Sequence, residues 1–148
     1  MPNVALRPAI AEDAEAVFTW RNDEEVRALS RDSKPVEWDD HLSWFSNCLV
    51  GANSESVWII EYENISIGSG RITKYEEDDR AEISIVLSEE YRGNGYGSEA
   101  LKQLVHIVRG MGRLPVAWVR PSNARSLAAF KRAGFDFANQ LLELHHNE

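Results

Sequence analysis

The chain has 148 residues, of which 43% are hydrophobic and 27% charged, with one cysteine and a formal net charge of −8. This length predicts one globular domain over residues 1–148, and the lone Cys48 excludes an internal disulfide and a cysteine-based metal site. The longest apolar runs fall far short of the roughly 20 residues that cross a membrane, and the first residues lack an apolar signal core, so a cytoplasmic protein is expected.

Hydrophobic periodicity predicts elements in the order β-α-α-β-β-β-α-β-α-β. In chain order they are strand 4–6, helix 11–21, helix 36–49, strands 57–62, 65–75 and 81–87, a helix that follows a turn at 91–98 and ends near Gly110, strand 115–119, helix 123–133 and strand 135–144. Gly68-Ser69-Gly70 indicates a bulge in the second strand of the middle group. The order is typical of an α+β fold with an antiparallel middle.

The net charge conceals an uneven distribution. Residues 92–132 contain eight basic residues and one acidic residue, Glu99, whereas the rest of the chain contains eight basic and 23 acidic residues. Because a field of one sign attracts a ligand of the other, the basic segment predicts an anionic ligand. The acidic remainder is expected to face a second substrate. A basic solvated surface balanced by an acidic one is the alternative interpretation.

A glycine-rich turn at 91–98 joins the strand at 81–87 directly to a helix. Backbone N–H groups at a helix start lack intrahelical acceptors, and the helix dipole favours negative charge there. Since glycines let a ligand approach the backbone closely, the turn predicts a phosphate site, the alternative being a tight turn with no ligand. Gly95, Gly97 and Ala100 also fit a dinucleotide fingerprint, but the acidic residue that would hold the ribose is missing after the next strand.

Two blocks of the sequence resemble the GNAT superfamily of acyl-CoA-dependent N-acyltransferases. Residues 92–97 (Arg-Gly-Asn-Gly-Tyr-Gly) resemble its Arg/Gln-x-x-Gly-x-Gly/Ala signature, and residues 123–126 with 130–135 resemble its second conserved block. With the strand order, the resemblance covers nearly the whole chain. It implies a GNAT-like α+β fold: a mixed, largely antiparallel twisted sheet with helices on both faces and a V-shaped splay between the two central strands.

The resemblance implies acetyl-CoA as co-substrate, its pyrophosphate held by backbone amides of 93–98 and other phosphates near Arg92, Arg125 or Lys131. The pantetheine arm would pair with the strand before the turn, where an amide polarises the thioester carbonyl. The cofactor-binding residues so implied are Ile85, Val86, Leu87, Arg92, Gly93, Asn94, Gly95, Tyr96, Gly97, Ser98, Asn123 and Phe130. For Asn123, a helix N-cap is an alternative or additional role.

Transfer to an amine calls for a general base, because most amines are protonated at neutral pH. Glu82 is the candidate: it is polar within an apolar strand, and it matches the base position of the histone-acetylating branch of the superfamily. The alternative is that Glu82 pairs with Arg71 or Arg80 on a neighbouring strand. His41 is a second candidate base, with a buried structural histidine as the alternative.

The departing thiolate needs a proton, which many superfamily members supply from a tyrosine. Phe130 occupies that position here and has no proton to give. Ser126, water or unassisted departure would serve instead. The missing tyrosine also leaves open a non-catalytic acyl-CoA-binding module.

Patterns in the N-terminal half and in the predicted strand 81–87 indicate which amine accepts the acetyl group. Residues 20–23 (Trp-Arg-Asn-Asp), Val26-Arg27, His41-x-x-Trp44-Phe45 and residues 82–85 (Glu-Ile-Ser-Ile) resemble acetyltransferases of nucleotide-linked amino sugars in bacterial surface-glycan pathways, including pseudaminic acid biosynthesis. Ribosomal-protein N-terminal acetyltransferases share part of this pattern. A small amine acceptor is therefore expected, first an amino sugar, then a protein N-terminus or a polyamine. No metal, nucleic acid or membrane partner is expected, and a homodimer is compatible with the resemblance.

Overall fold

The computed structural model describes residues 3–137 and 143–146. Within these ranges the strands are β1 (Val4–Pro8), β2 (Glu55–Tyr62), β3 (Ile65–Lys74), β4 (Arg80–Leu87), β5 (Leu114–Trp118), β6 (Phe135–Phe137) and β7 (Glu143–His146). The α-helices are α1 (Ala14–Arg21), α2 (Glu24–Leu29), α3 (Trp38–Val50), α4 (Tyr96–Gly110) and α5 (Ala124–Arg132). The strands form one sheet in the order β1-β2-β3-β4-β5-β7-β6, parallel at β4–β5 and antiparallel elsewhere.

The predicted α+β class is confirmed, and the differences concern short elements. Helix α2 was not predicted, because its six residues are rich in charge and none is buried; Asp23 caps it by accepting a hydrogen bond from the Val26 amide at 3.1 Å. The predicted helix at 11–21 begins as a 3₁₀ turn over residues 11–13. The predicted strand at 135–144 is two antiparallel strands, β6 and β7, and residues 138–142 of that prediction lie outside the described residues.

The predicted bulge lies one residue before the glycines. Ile60 pairs with Gly68 while Glu61 pairs with Ser66, so Ile67 is the extra residue on β3. Gly68 then lies against β4, where an added Cβ would collide with the Val86 carbonyl oxygen. The glycine therefore allows β3 to approach the strand that borders the candidate site.

Strands β4 and β5 separate partway along their length. Their pairing runs from Arg80–Leu114 to Glu82–Val116, and β4 then continues to Leu87 beyond the paired segment. The predicted V-shaped splay is therefore present, and Glu82 lies at its closed end.

The two faces of the sheet carry separate apolar cores. Ile72 and Ile83 pack with Leu101 and Leu104 of α4, while Val57 and Ile59 pack with helices α1 and α3 on the opposite face. Helices on both faces confirm the predicted layering. In the part of the chain that the structure describes, no helix has the length and hydropathy to cross a membrane.

Replacing Gly68 with alanine should lower the free energy of unfolding by about 1–3 kcal/mol, because a backbone oxygen cannot move away as a side chain can. Gly110→Ala is the matched control. It lies at the end of α4 with no atom within 4 Å of the added Cβ, and it should gain about 0.5–1 kcal/mol. Urea denaturation of both variants measures the difference, and equal midpoints would contradict the close approach.

Candidate active site

One cleft of about 540 Å³ opens into the splay between β4 and β5. Its cofactor side is formed by β4 and the first turns of α4 and α5, and its opposite side by α1, α2, the segment 30–36 and the floor of β2 and β3. The predicted site residues that line it are Glu82, Ile85, Val86, Leu87, Arg92, Gly97, Asn123, Ser126 and Phe130. The remaining predicted residues, Gly93, Asn94, Gly95, Tyr96 and Ser98, belong to the adjoining turn and the first turn of α4.

The turn has the backbone geometry of an anion site. Gly93 and Gly95 have positive φ angles of 80° and 84°, which glycine adopts without steric cost, and Gly95 is the N-cap of α4. The first hydrogen bond of the helix runs from the Glu99 amide to the Gly95 oxygen. Because the amides that precede Glu99 in the first turn have no intrahelical acceptor, they can donate to an anion at the positive end of the helix dipole.

Arg92 links this turn to α2. Its Nε donates to the Leu87 carbonyl oxygen at 3.0 Å, and its two terminal nitrogens contact Glu25 at 2.8 Å and Asp23 at 3.2 Å. The guanidinium is thus balanced by two carboxylates and fixes the short helix against the end of β4. Its predicted place near a phosphate stays a prediction.

The start of α5 brings three candidates together. Asn123 Oδ1 accepts a hydrogen bond from the Ser126 amide at 3.2 Å, so Asn123 is the N-cap of this helix. Phe130 is buried and packs edge-to-face on Phe135 at 5.0 Å. Its ring therefore serves the core and also forms part of the cleft wall.

Glu82 Oε1 accepts hydrogen bonds from Arg31 at 2.7 Å and from the Tyr75 hydroxyl at 3.0 Å. The arginines proposed as its alternative partners pair elsewhere, Arg71 with Glu55 at 3.3 Å and Arg80 with Asp78 at 3.0 Å. The predicted partners were wrong because the true one, Arg31, comes from the irregular segment after α2, and sequence spacing does not indicate where such a segment folds back. The carboxylate is thus oriented from two sides and faces the cleft.

His41 has a structural role. It is fully buried, its Nδ1 accepts from Arg21 at 2.9 Å, and its Nε2 donates to the Ala14 carbonyl oxygen at 2.8 Å. Because a guanidinium only donates, the ring is neutral with its proton on Nε2. Burial, followed by the charge of Arg21, lowers the pKa of His41. With both nitrogens engaged, His41 cannot act as the general base.

The side of the cleft opposite the cofactor side, here called the acceptor half, is not acidic as the sequence predicts. The lining residues that precede Arg92 in sequence include five basic residues (Arg21, Arg27, Arg31, Lys34 and Arg71) and three acidic ones (Glu25, Asp32 and Glu82). The acidic remainder of the chain therefore does not supply an acidic acceptor surface, because most of its carboxylates lie outside the cleft. In residues 3–137 and 143–146, no cluster of His, Cys, Asp or Glu side chains could hold a metal ion.

Known proteins share both the sequence pattern and this architecture. The family model described as "Acetyltransferase (GNAT) domain" matches residues 3–136. The Bacillus subtilis protein named "Putative phosphinothricin acetyltransferase YwnH" is 31% identical over 142 residues, which cover 89% of this chain and 83% of that protein. The mycothiol acetyltransferase of Corynebacterium efficiens is 28% identical, and the match covers 92% of this chain and 52% of that one. The structure of aminoglycoside acetyltransferase AAC(6')-Ib with coenzyme A and kanamycin superposes with a TM-score of 0.85 at 16% identity, covering 99% of this chain and 95% of that one.

Stability should depend on pH through the buried histidines. Burial also lowers the pKa of His146, whose ring bonds Arg109 and the Ala133 carbonyl oxygen. Below about pH 6.5 the unfolded chain takes up protons that folded His41 and His146 resist, so the free energy of unfolding falls as pH drops.

We expect His41→Gln to reduce this fall by up to about 1.4 kcal/mol between pH 7.5 and 5.5, because glutamine does not titrate. Urea midpoints at the two pH values measure it, with exposed His106→Gln as the control. A variant that loses as much stability on acidification as the natural protein would contradict the buried neutral His41.

Proposed function

The chain belongs to the GNAT acetyltransferase family, and from that premise we propose that it transfers the acetyl group of acetyl-CoA to the primary amine of a small molecule. The observation that carries the proposal is the continuous cleft of about 540 Å³, which joins the start of α4 to a polar acceptor half through the open end of the splay. A thioester bound along β4 and an amine bound beside Glu82 would meet inside that cleft.

The cofactor half supports binding of coenzyme A. Amides of the turn and of the first turn of α4 can donate to a pyrophosphate at the positive helix end. The unpaired edge of β4, residues 83–87, offers backbone groups to which an extended pantetheine arm can bond as an added strand would. A backbone N–H on that edge can also stabilise the negative charge that develops on the thioester oxygen.

Glu82 supports deprotonation of the amine. The Arg31 guanidinium and the Tyr75 hydroxyl both donate to its Oε1, which fixes the direction of the carboxylate. An ionised carboxylate can accept a proton from the bound ammonium, directly or through one water, before nitrogen attacks the carbonyl carbon. Attack forms the C–N bond and a tetrahedral oxyanion, and the nitrogen releases its second proton to solvent. The C–S bond then breaks, and coenzyme A leaves as a thiolate.

Protonation of that thiolate cannot come from Phe130. Ser126 is the proposed donor, because it lies in the cleft wall beside the N-cap Asn123 and its hydroxyl carries a proton.

The proposed acceptor is a nucleotide-linked amino sugar. The patterns at residues 20–23 and 82–85 support it, and so does the excess of basic side chains in the acceptor half, which suits an acceptor that also carries negative charge. The same charges disfavour polyamines, which are cations. Phosphinothricin, named for the relative that is 31% identical, is a second candidate because it combines an amine with acidic groups.

Glu82→Gln should lower turnover about 10²–10⁴-fold at neutral pH, the usual worth of a general base. The residual rate should rise with pH as the acceptor amine loses its proton in solution. Glu77→Gln, on the exposed loop between β3 and β4, is the matched control. Initial rates from pH 6 to 9 measure both variants, and a pH–rate profile shared by Glu82→Gln and the natural protein would remove Glu82 from the mechanism.

Release of free thiol from acetyl-CoA should occur with an amino sugar linked to a nucleotide, and much less with peptides or polyamines. Acetyl-CoA at 100 times its dissociation constant should stabilise the fold by about 2.7 kcal/mol. Stabilisation without turnover on any amine would instead identify a non-catalytic acyl-CoA-binding module, and no stabilisation would refute both functions.

A further inference from the structure

The acceptor half contains two arginines that lie close together and share one carboxylate, Glu55. Arg21 of α1 stacks on the Trp44 ring at 4.2 Å, and Arg71 of β3 approaches the same ring at 5.8 Å. Both guanidiniums line the cleft. Two cations thus converge on one indole at the floor of the site.

A single carboxylate, that of Glu55, interacts with both guanidiniums. Glu55 lies 3.3 Å from Arg71 Nε, but it also accepts hydrogen bonds from Trp44 Nε1 at 3.0 Å and from the Thr73 hydroxyl at 3.2 Å. Arg71 Nε is buried and has no hydrogen-bond partner among the described residues. Burial, followed by the charge of Arg71, lowers the pKa of Arg21, while the charge of Glu55 acts in the opposite direction.

The other arginines of the acceptor half are already engaged. Arg27 donates to the carbonyl oxygens of Asn22 and Ser33, and Arg31 pairs with Glu82. Arg21 donates one terminal nitrogen to His41 and lines the cleft, so its other N–H groups are donors that His41 does not use. Arg27 keeps its charge and Lys34 also lines the cleft, so several cations share the excess positive charge; Arg21 and Arg71 are the two that meet at the Trp44 ring.

The strand register places this pair close to the reacting end. Arg71 is directly opposite Ser84 on β4, and Ser69 lies two residues before it on β3; both serines line the cleft. Glu82 lies on the same face of β4 as Ser84, which is about 7 Å away along the strand. A ligand of a few bonds can therefore reach from Glu82 to Arg71.

We propose that Arg21 and Arg71, with the hydroxyls of Ser69 and Ser84, form a subsite for an oxyanion of the acceptor, a carboxylate or a phosphate, held apart from the anion site of the cofactor. The acceptor is then an amine that carries such a group within reach of its nitrogen. This inference rests on the proposed acetyltransferase function, and it names the chemistry that the acceptor half selects.

Steady-state kinetics with matched acceptors test the subsite. Comparing glucosamine 6-phosphate with glucosamine measures the effect of a phosphate on KM, and comparing an α-amino acid with its amide measures the effect of a carboxylate. A nucleotide-linked amino sugar tests a diphosphate. The natural protein should show a KM about 10–100-fold lower for at least one charged member than for its neutral match, the worth of a charge-assisted hydrogen bond. Whichever pair shows the difference identifies the source of the oxyanion.

Arg71→Gln should erase that preference by raising KM for the charged acceptor about 10–100-fold, with kcat and the KM for the neutral acceptor little changed. Arg71→Lys keeps the positive charge but lacks the planar pair of guanidinium donors, so it should recover part of the affinity for the charged acceptor. Arg80→Gln, which breaks the ion pair with Asp78 outside the cleft, is the control. An equal rise of KM for charged and neutral acceptors, or a preference that survives in Arg71→Gln, would overturn the subsite.

A binding measurement separates this proposal from the proposed function. Calorimetric titration of inorganic phosphate into protein saturated with coenzyme A should show binding that Arg71→Gln loses and Arg80→Gln keeps. If no amine is acetylated, the enzymatic function fails, yet this titration still decides the subsite: equal phosphate affinity in both variants refutes it. Thermal melting of each variant confirms that the fold is intact.

Discussion

The separation of β4 from β5 after the Glu82–Val116 pair is the constraint on which the site depends. Buried backbone N–H and C=O groups must be bonded, so an interior strand edge that loses its neighbour needs water or a ligand in its place. Residues 83–87 form such an edge on one side while β3 pairs with them on the other. The sheet thereby creates its own ligand site, and Glu82, as the last paired residue, is held at the point where the opening begins.

Helix α2 and the segment after it are attached to this opening mainly by charge, whereas α1 and α3 pack on the sheet through an apolar core. Helix α2 buries no residue, and its links to the sheet are the contacts of Asp23 and Glu25 with Arg92. The segment after it is held by Arg31 on Glu82 and by Arg120, which donates to the Ser30 carbonyl oxygen at 2.8 Å. Arg92 and Glu82 are largely shielded from water, whereas Glu25 and Arg31 are more than half exposed. Because α2 has no buried residue of its own, these ion pairs and hydrogen bonds hold this part of the chain in place.

The long elements and the cofactor half could be predicted from the sequence, because period-2 and period-3.6 patterns and a glycine turn are local signals. The acceptor half could not. Its decisive contacts join Glu82 to Arg31 and Arg21 to His41, at separations of 51 and 20 residues. The short helix α2, which lies between Arg21 and Arg31 in sequence, has too few apolar residues to show a period. The chain-wide charge was misleading for the same reason, since composition counts carboxylates without recording which of them face the cleft.

Dissolved ions screen the charges of the protein, so that each charge acts only over a short distance. At physiological ionic strength that distance is about 8 Å, so carboxylates on the outer surface contribute little to the potential felt by a ligand inside the cleft. The groups that matter are those lining it, where seven basic residues face three acidic ones. Arg92 is paired with Asp23 and Glu25, and Arg31 with Glu82. The field that remains comes from the helix starts on one side and, on the other, from the remaining basic residues, Arg21 and Arg71 among them. An acidic protein of net charge −8 can thus carry positive charge on both sides of one cleft, and the two proposed anion sites lie on either side of Glu82.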